Sequence, residues 1–242
     1  MMKIHNTQQM QEGAGATVRR LMPVAGLRNF DPFVLWDDFT ITPGTGFPDH
    51  PHRGFEAITY VFQGSIHHRD NLGNDSTVSD GGAQRFTAGR GIVHSEMPAT
   101  DRPTRGIQLW INLPKRLKDV EPAYQQVNAD SFPTRDISGG RITTIVGDTS
   151  PLKLLTPAQY ENISLTAGGR YRYTNPEIHR GFVYVVSGAA HIDDMSLNGG
   201  QAALFSGVRE LSIAAGDQGC HLMLCAGGPH GEPIIQHGPF VD

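Results

Sequence analysis

Short apolar runs, broken at close intervals by glycine-bearing turns, constrain this chain more than any other feature. PFVLWDDFTI, AITYVF, GIQLWINL, RITTIVG, ISLTA, FVYVVSG and HLMLCAGG are rich in β-branched and aromatic residues, which suit a pleated, half-buried surface. DNLGND, SDGG, TAGRG, ISGG, TAGG, VSG and LNGG fall between them, and turn chemistry at such spacing marks a sandwich or barrel. The 29 glycines and 16 prolines of the 242 residues punctuate the runs and form no low-complexity tract. The pattern predicts an all-β chain. LTPAQYEN is the best helical stretch, and its brevity suits a loop carrying a turn equally well.

The chain also repeats itself. His52-Arg53-Gly54-Phe55 precedes ITYVFQGSIHH, and His179-Arg180-Gly181-Phe182 precedes VYVVSGAAHI; Tyr60 and Gly64 correspond to Tyr184 and Gly188 once a short gap is allowed. A tandem duplication of one β unit of roughly 110–120 residues accounts for this, a length usual for a domain. The expected domains are residues 1–130 and 131–242.

Charge and composition exclude several roles. A net charge of −4 and a pI near 6.2 provide no basic field for sequence-independent nucleic-acid binding. No apolar run approaches the length of a membrane span, and MMKIHNTQQMQEGAGA lacks the basic-then-apolar order of a signal peptide. A cytoplasmic protein is expected. Cys220 and Cys225 lie five apart on a strand-like run and so point to opposite faces, which argues against an intrachain bridge and for buried thiols in a reducing compartment.

The histidines carry the chemistry. In FPDHPHRGFE, His50 and His52 are two apart, so on a strand they share a face and lie about 6–7 Å apart. In GRGIVHSE, His94 and Glu96 repeat that spacing after a glycine turn. Two such pairs on two strands supply three imidazoles and a carboxylate, a set that suits iron, manganese, copper, nickel or zinc better than calcium or magnesium. Glu56 is four residues after His52, and parity along one continuous strand would place it on the same face. Parity does not choose between the two glutamates.

These residues resemble a known family. HPHRGFEAITYVFQG, HRDNLGN, TAGRGIVHSEMP and the closing GEPIIQHGPFV are similar to the pirins, cupins with two β-barrel domains, and the likeness runs from NFDPFVLWDDF at Asn29 to the last residues. The resemblance implies two tandem cupin (jelly-roll) barrels. It also implies one Fe(II) in the first barrel, held by His50, His52, His94 and Glu96, with Glu96 the candidate catalytic group and Glu56 either an acceptor behind the ligands or a close onlooker. The second barrel keeps only His179, with Asn175-Pro176-Glu177-Ile178 before it, and QAALFSGVRELSIAAGD brings no histidine. No metal is expected there, and its expected role is to pack against the first barrel and close one end.

Four ligands on a six-coordinate ion leave two positions open. The resemblance implies a quercetin 2,3-dioxygenase, with a flavonol or catechol-like substrate and dioxygen as partners. The alternative it implies is a non-enzymatic, redox-sensitive regulator that binds transcription factors or metabolic enzymes through an iron-dependent surface, with Arg53 and Arg90 beside the ligand pairs carrying a charge change outward, if they are more than surface ion pairs. A third reading makes the metal purely stabilising. Phe47, Phe55 and Phe62 are candidate wall residues. His67 and His68, of which only one can face a barrel interior, and His230 and His237, in Gly/Pro-rich loops, are assigned no role.

Overall fold

The structure is a computed structural model that describes residues 2–176 and 179–242. Glu177 and Ile178, part of the segment before His179, lie outside the described residues. Strands dominate, and the only helices among the described residues are the short 3-10 turns Lys115–Leu117 and Ala129–Ser131. The all-β expectation holds. LTPAQYEN is no helix: Leu155 and Thr156 are bonded through their amides to Glu56, and the strand Ala158–Leu165 begins directly after Pro157.

The chain forms two compact units. One comprises Gln8–Ser131, Leu154–Thr156 and His230–Asp242; the other comprises the residues before Gln8, Phe132–Lys153 and Pro157–Pro229. The main division thus falls between Ser131 and Phe132, while a short stretch at each terminus belongs to the opposite unit.

In the first unit a seven-stranded antiparallel sheet runs in the order Ala123–Val127, Ala83–Thr87, Phe55–Gln63, Thr104–Asn112, Phe33–Ile41, Ala16–Met22, Gln8–Glu12. A four-stranded sheet has the order Phe47–His52, Ile92–Pro98, Ser65–Asp70, Asp75–Ser79. Phe47–His52 is an edge strand, which is where Pro48 and Pro51, lacking an N–H, are tolerated. One core cluster gathers Ala16, Val18, Phe39, Ile41, Val61, Ile66 and Val78 from both sheets. A second gathers Val34, Leu35, Phe55, Ala57, Phe86, Ile92 and Trp110. Each large side chain so buried contributes about 1.5–3 kcal/mol.

The second unit is a nine-stranded sheet centred on the long strands Arg180–Ile192 and Glu210–Gly227. Val183, Val185, Phe205, Leu222 and Leu224 fill its core. The repeat is visible in the backbone: Gly64, just after the strand Phe55–Gln63, and Gly188, at a register shift within Arg180–Ile192, have φ of 83° and 77°. Cys220 and Cys225 are both buried free thiols, and burial pushes the Cys220 thiol up to about 11 and Cys225 higher than its usual range.

Candidate metal centre

Strand pairing in the four-stranded sheet assembles the histidines. His94 is directly opposite His50, and Ile92 is opposite His52. Residues opposite one another point to the same face, as do His50 and His52, so three imidazoles converge. One ring nitrogen from each lies within 4.8 Å of the others, and the ring centroids are 4.5–5.0 Å apart. A bulge between His94 and Glu96 shifts the register, bringing Glu96 opposite Phe47.

The remaining ring nitrogens are engaged. His50 Nδ1 donates to the Pro48 carbonyl at 2.8 Å, and His52 Nδ1 donates to the Pro239 carbonyl at 3.2 Å. A carbonyl only accepts, so these hydrogen bonds place the proton on Nδ1 and leave the Nε2 lone pairs free. His94 Nδ1 is 3.5 Å from His68 Nδ1, while His94 Nε2 is buried with no hydrogen-bond partner among the described residues. An orphaned, buried imidazole nitrogen beside two other free ones is a costly arrangement unless a cation completes it. The residues present therefore fit a divalent first-row metal ion.

Burial favours the neutral form of His52 and His94. His52 is pushed down to about 3 by burial and then by the neighbouring His50. His94 is lowered well below the ordinary imidazole value by burial and then by His52, His50 and His68. His52 stacks on Phe86 at 5.4 Å with an interplanar angle of 8°, and meets Phe55 and Trp110 edge-on.

Glu96 is buried, and Oε1 of its carboxylate accepts from Thr59 Oγ1 at 2.7 Å and Gln84 Nε2 at 2.6 Å. It lies outside the three-imidazole group but lines the same cavity as His50 and His52. Glu56 is placed elsewhere, contrary to the parity argument. The strand bearing His52 ends there, and a new strand in the other sheet begins at Phe55, so parity does not carry across Gly54. Phe55 touches His52 and Thr59 bonds Glu96; Glu56, of opposite parity, points away. Its carboxylate accepts from Thr87 Oγ1 at 2.9 Å and from the Leu155 and Thr156 amides at 2.9 and 3.1 Å.

A cavity of about 620 Å³ opens on His50, His52 and Glu96. Leu35, Phe39, Phe47 and Trp110 form apolar wall, and the bidentate pair of Arg20 with Asp37, at 2.8 and 2.6 Å, forms a polar side. Of the candidate wall residues, Phe47 lines the cavity; Phe55 is core beneath His52, stacked on Trp110 at 4.1 Å. Phe62 is not among the lining residues and packs against Tyr60 and Arg105.

The family model described as Pirin matches residues 14–111, and that described as Pirin C-terminal cupin domain matches residues 160–242. The chain belongs to the pirin family. A pirin-like protein of Arabidopsis thaliana is 40% identical over 97% of this chain and 81% of its own length, and human pirin is 37% identical over 97% and 84%. A crystal structure of quercetin 2,3-dioxygenase from Acinetobacter baumannii superposes with a TM-score of 0.90 at 28% identity, covering 99% of this chain and 90% of that one. Both units of this pirin are thus cupin barrels.

Other sequence candidates are dispersed. Arg53 pairs with Asp242 and Arg90 with Glu121, all exposed, and such pairs contribute little. His67 faces out to Asp75, but His68 is fully buried beside His94, a neighbour that the sequence reading left without a role. HHRD did contain the signal, since His68 and Asp70 share the inward parity. His230 and His237 sit on the chain's closing segment, His230 half-buried with its amide on Asp31. No helix among the described residues is long and apolar enough to cross a membrane.

Proposed function

We propose that this pirin is an iron-dependent dioxygenase of the quercetin 2,3-dioxygenase type, acting on a flavonol or catechol-like compound with dioxygen. One observation carries the reading: a mostly apolar cavity of about 620 Å³ opens directly on the imidazole cluster, and that volume lies within the range of pockets that enclose a small ligand. His50, His52, His94 and Glu96 are the residues proposed to hold Fe(II). When bound, the ion supplies Lewis acidity and one-electron chemistry toward dioxygen.

The protein's own contribution is positioning. Backbone carbonyls fix the tautomers of His50 and His52, so little is spent reorganising them. Phe39, Phe47 and Trp110 clasp a planar aromatic ring and exclude water. Both hydrogen bonds to Glu96 fall on Oε1, and we assign to this carboxylate the hydroxyl proton that the substrate must release. The second barrel, filled by an apolar core, is given a structural role. The test is incubation of the iron-loaded protein with quercetin under oxygen, following loss of flavonol absorbance and release of carbon monoxide. Turnover no faster than that of a His50→Ala variant overturns the proposal.

A further inference from the structure

Two of the proposed metal-binding side chains, His94 and Glu96, two residues apart on one strand, are steadied by different intermediaries that meet at a single residue. Tyr124 lies on Ala123–Val127, an edge strand of the seven-stranded sheet, opposite Phe86. Its ring stacks on the imidazole of His68 at 4.2 Å with an interplanar angle of 17°. Its hydroxyl donates to Gln84 Oε1 at 3.0 Å and is 2.7 Å from Ser76 Oγ.

The ring side leads to His94. His68 Nε2 donates to Asp70 Oδ2 at 3.0 Å, and Asp70 is itself fixed by the Leu72 and Asn74 amides at 2.9 and 3.0 Å. With the ring proton on Nε2, the Nδ1 of His68 presents a lone pair to His94 Nδ1–H, 3.5 Å away. His94 Nε2 is thereby left as the free nitrogen, the one that is buried without a partner. Stacking on Tyr124 holds the plane of His68, and therefore the plane of His94.

The hydroxyl side leads to Glu96. Gln84 Oε1 accepts from Tyr124, which orients the amide so that Nε2 donates to Glu96 Oε1 at 2.6 Å. Without the tyrosine hydroxyl the amide is free to turn and present its oxygen to the carboxylate, a repulsive contact.

We infer that Tyr124 is a positioning residue for the metal centre, orienting His94 through His68 and Glu96 through Gln84, and so sets the metal affinity without touching the ion. The inference rests on the reading of His50, His52, His94 and Glu96 as the metal site.

The two paths separate by mutation. Tyr124→Phe keeps the stacking and removes the hydroxyl, so it disturbs Glu96 alone; Tyr124→Leu removes both supports. Metal-free protein is titrated with Co(II), reading the dissociation constant and the visible ligand-field spectrum, with circular dichroism as the check on folding. Wild type is expected to bind one ion and His50→Ala to lose it, which tests the metal site by itself. Tyr124→Phe is expected to bind about tenfold more weakly with an altered spectrum, and Tyr124→Leu more weakly still, since losing such supports costs on the order of 10–100-fold. In a Gln84→Ala background, adding Tyr124→Phe is expected to change nothing further. Wild-type affinity and spectrum in Tyr124→Phe overturn the inference while leaving the metal site standing. Absence of binding by wild type overturns both.

Discussion

Replacing Gly54 by alanine should damage this protein in a way that replacing Gly73 does not. Both glycines have positive φ, 86° and 92°, so both variants carry roughly 1–2 kcal/mol of backbone strain. A Cβ on Gly73 meets nothing within 4 Å, whereas one on Gly54 would lie 1.8 Å from the Val241 carbonyl oxygen. The short strand Phe240–Val241 must then move. It is held by Val241 N–H donating to the Arg53 carbonyl at 3.0 Å, by Lys118 Nζ donating to the Val241 carbonyl at 2.8 Å, and by a fully buried Val241 side chain. Exposing that valine costs about 1.5–3 kcal/mol and each lost bond about 0.5–1.5 kcal/mol. Each freed residue regains about 1–2 kcal/mol of backbone entropy. A net excess of about 2 kcal/mol over Gly73→Ala is expected from urea denaturation of the metal-free proteins. The same displacement removes the Pro239 carbonyl from His52 Nδ1, so metal affinity should fall on the order of 10–100-fold in Gly54→Ala and stay unchanged in Gly73→Ala. Equal stabilities and equal affinities for the two variants would refute the reasoning.

Stability of the metal-free protein should fall on acidification. His52 has a folded value of about 3 against 6.5 in the unfolded chain; the unfolded state therefore binds the extra proton between those values, and His52 alone removes about 1.4 kcal/mol per pH unit on descent from 6.5. His94, also lowered, acts in the same direction. A urea midpoint that stays flat from pH 6.5 to 5 would contradict this. Arg20→Met should cost roughly 3–5 kcal/mol, because Asp37 is buried and loses its bidentate partner, and the double variant with Asp37→Asn should recover part of that loss. Full stability in Arg20→Met by thermal denaturation would contradict the pairing.

How much was legible in the sequence depends on the range of the interaction. The HPH pair was readable because strand parity is local, and the partnership of His50 with His94 needed only that their strands be neighbours; Glu96 lies beyond a bulge after His94 and outside the three-imidazole group, which local parity does not foresee. Glu56 was misplaced because parity was counted through Gly54, where one strand stops and another begins in a different sheet. Phe86 and Trp110, which pack on His52, were invisible because their contact depends on how two sheets face each other, and no local pattern encodes that. His68 lies between: its inward parity and Asp70 two residues later are local features of HHRD, but its contact with His94 depends on the pairing of two strands. The closing segment, read from its motif alone, proved to supply the Pro239 carbonyl from 187 residues away.

Iron content per chain tests the central claim most directly. Wild-type protein loaded anaerobically with Fe(II), passed through a desalting column and measured by elemental analysis is expected to retain one ion. His94→Ala and Glu96→Gln should lose it, and Glu56→Gln should retain it. Equal iron in wild type and His94→Ala, or loss in Glu56→Gln but not in Glu96→Gln, would contradict the site described above.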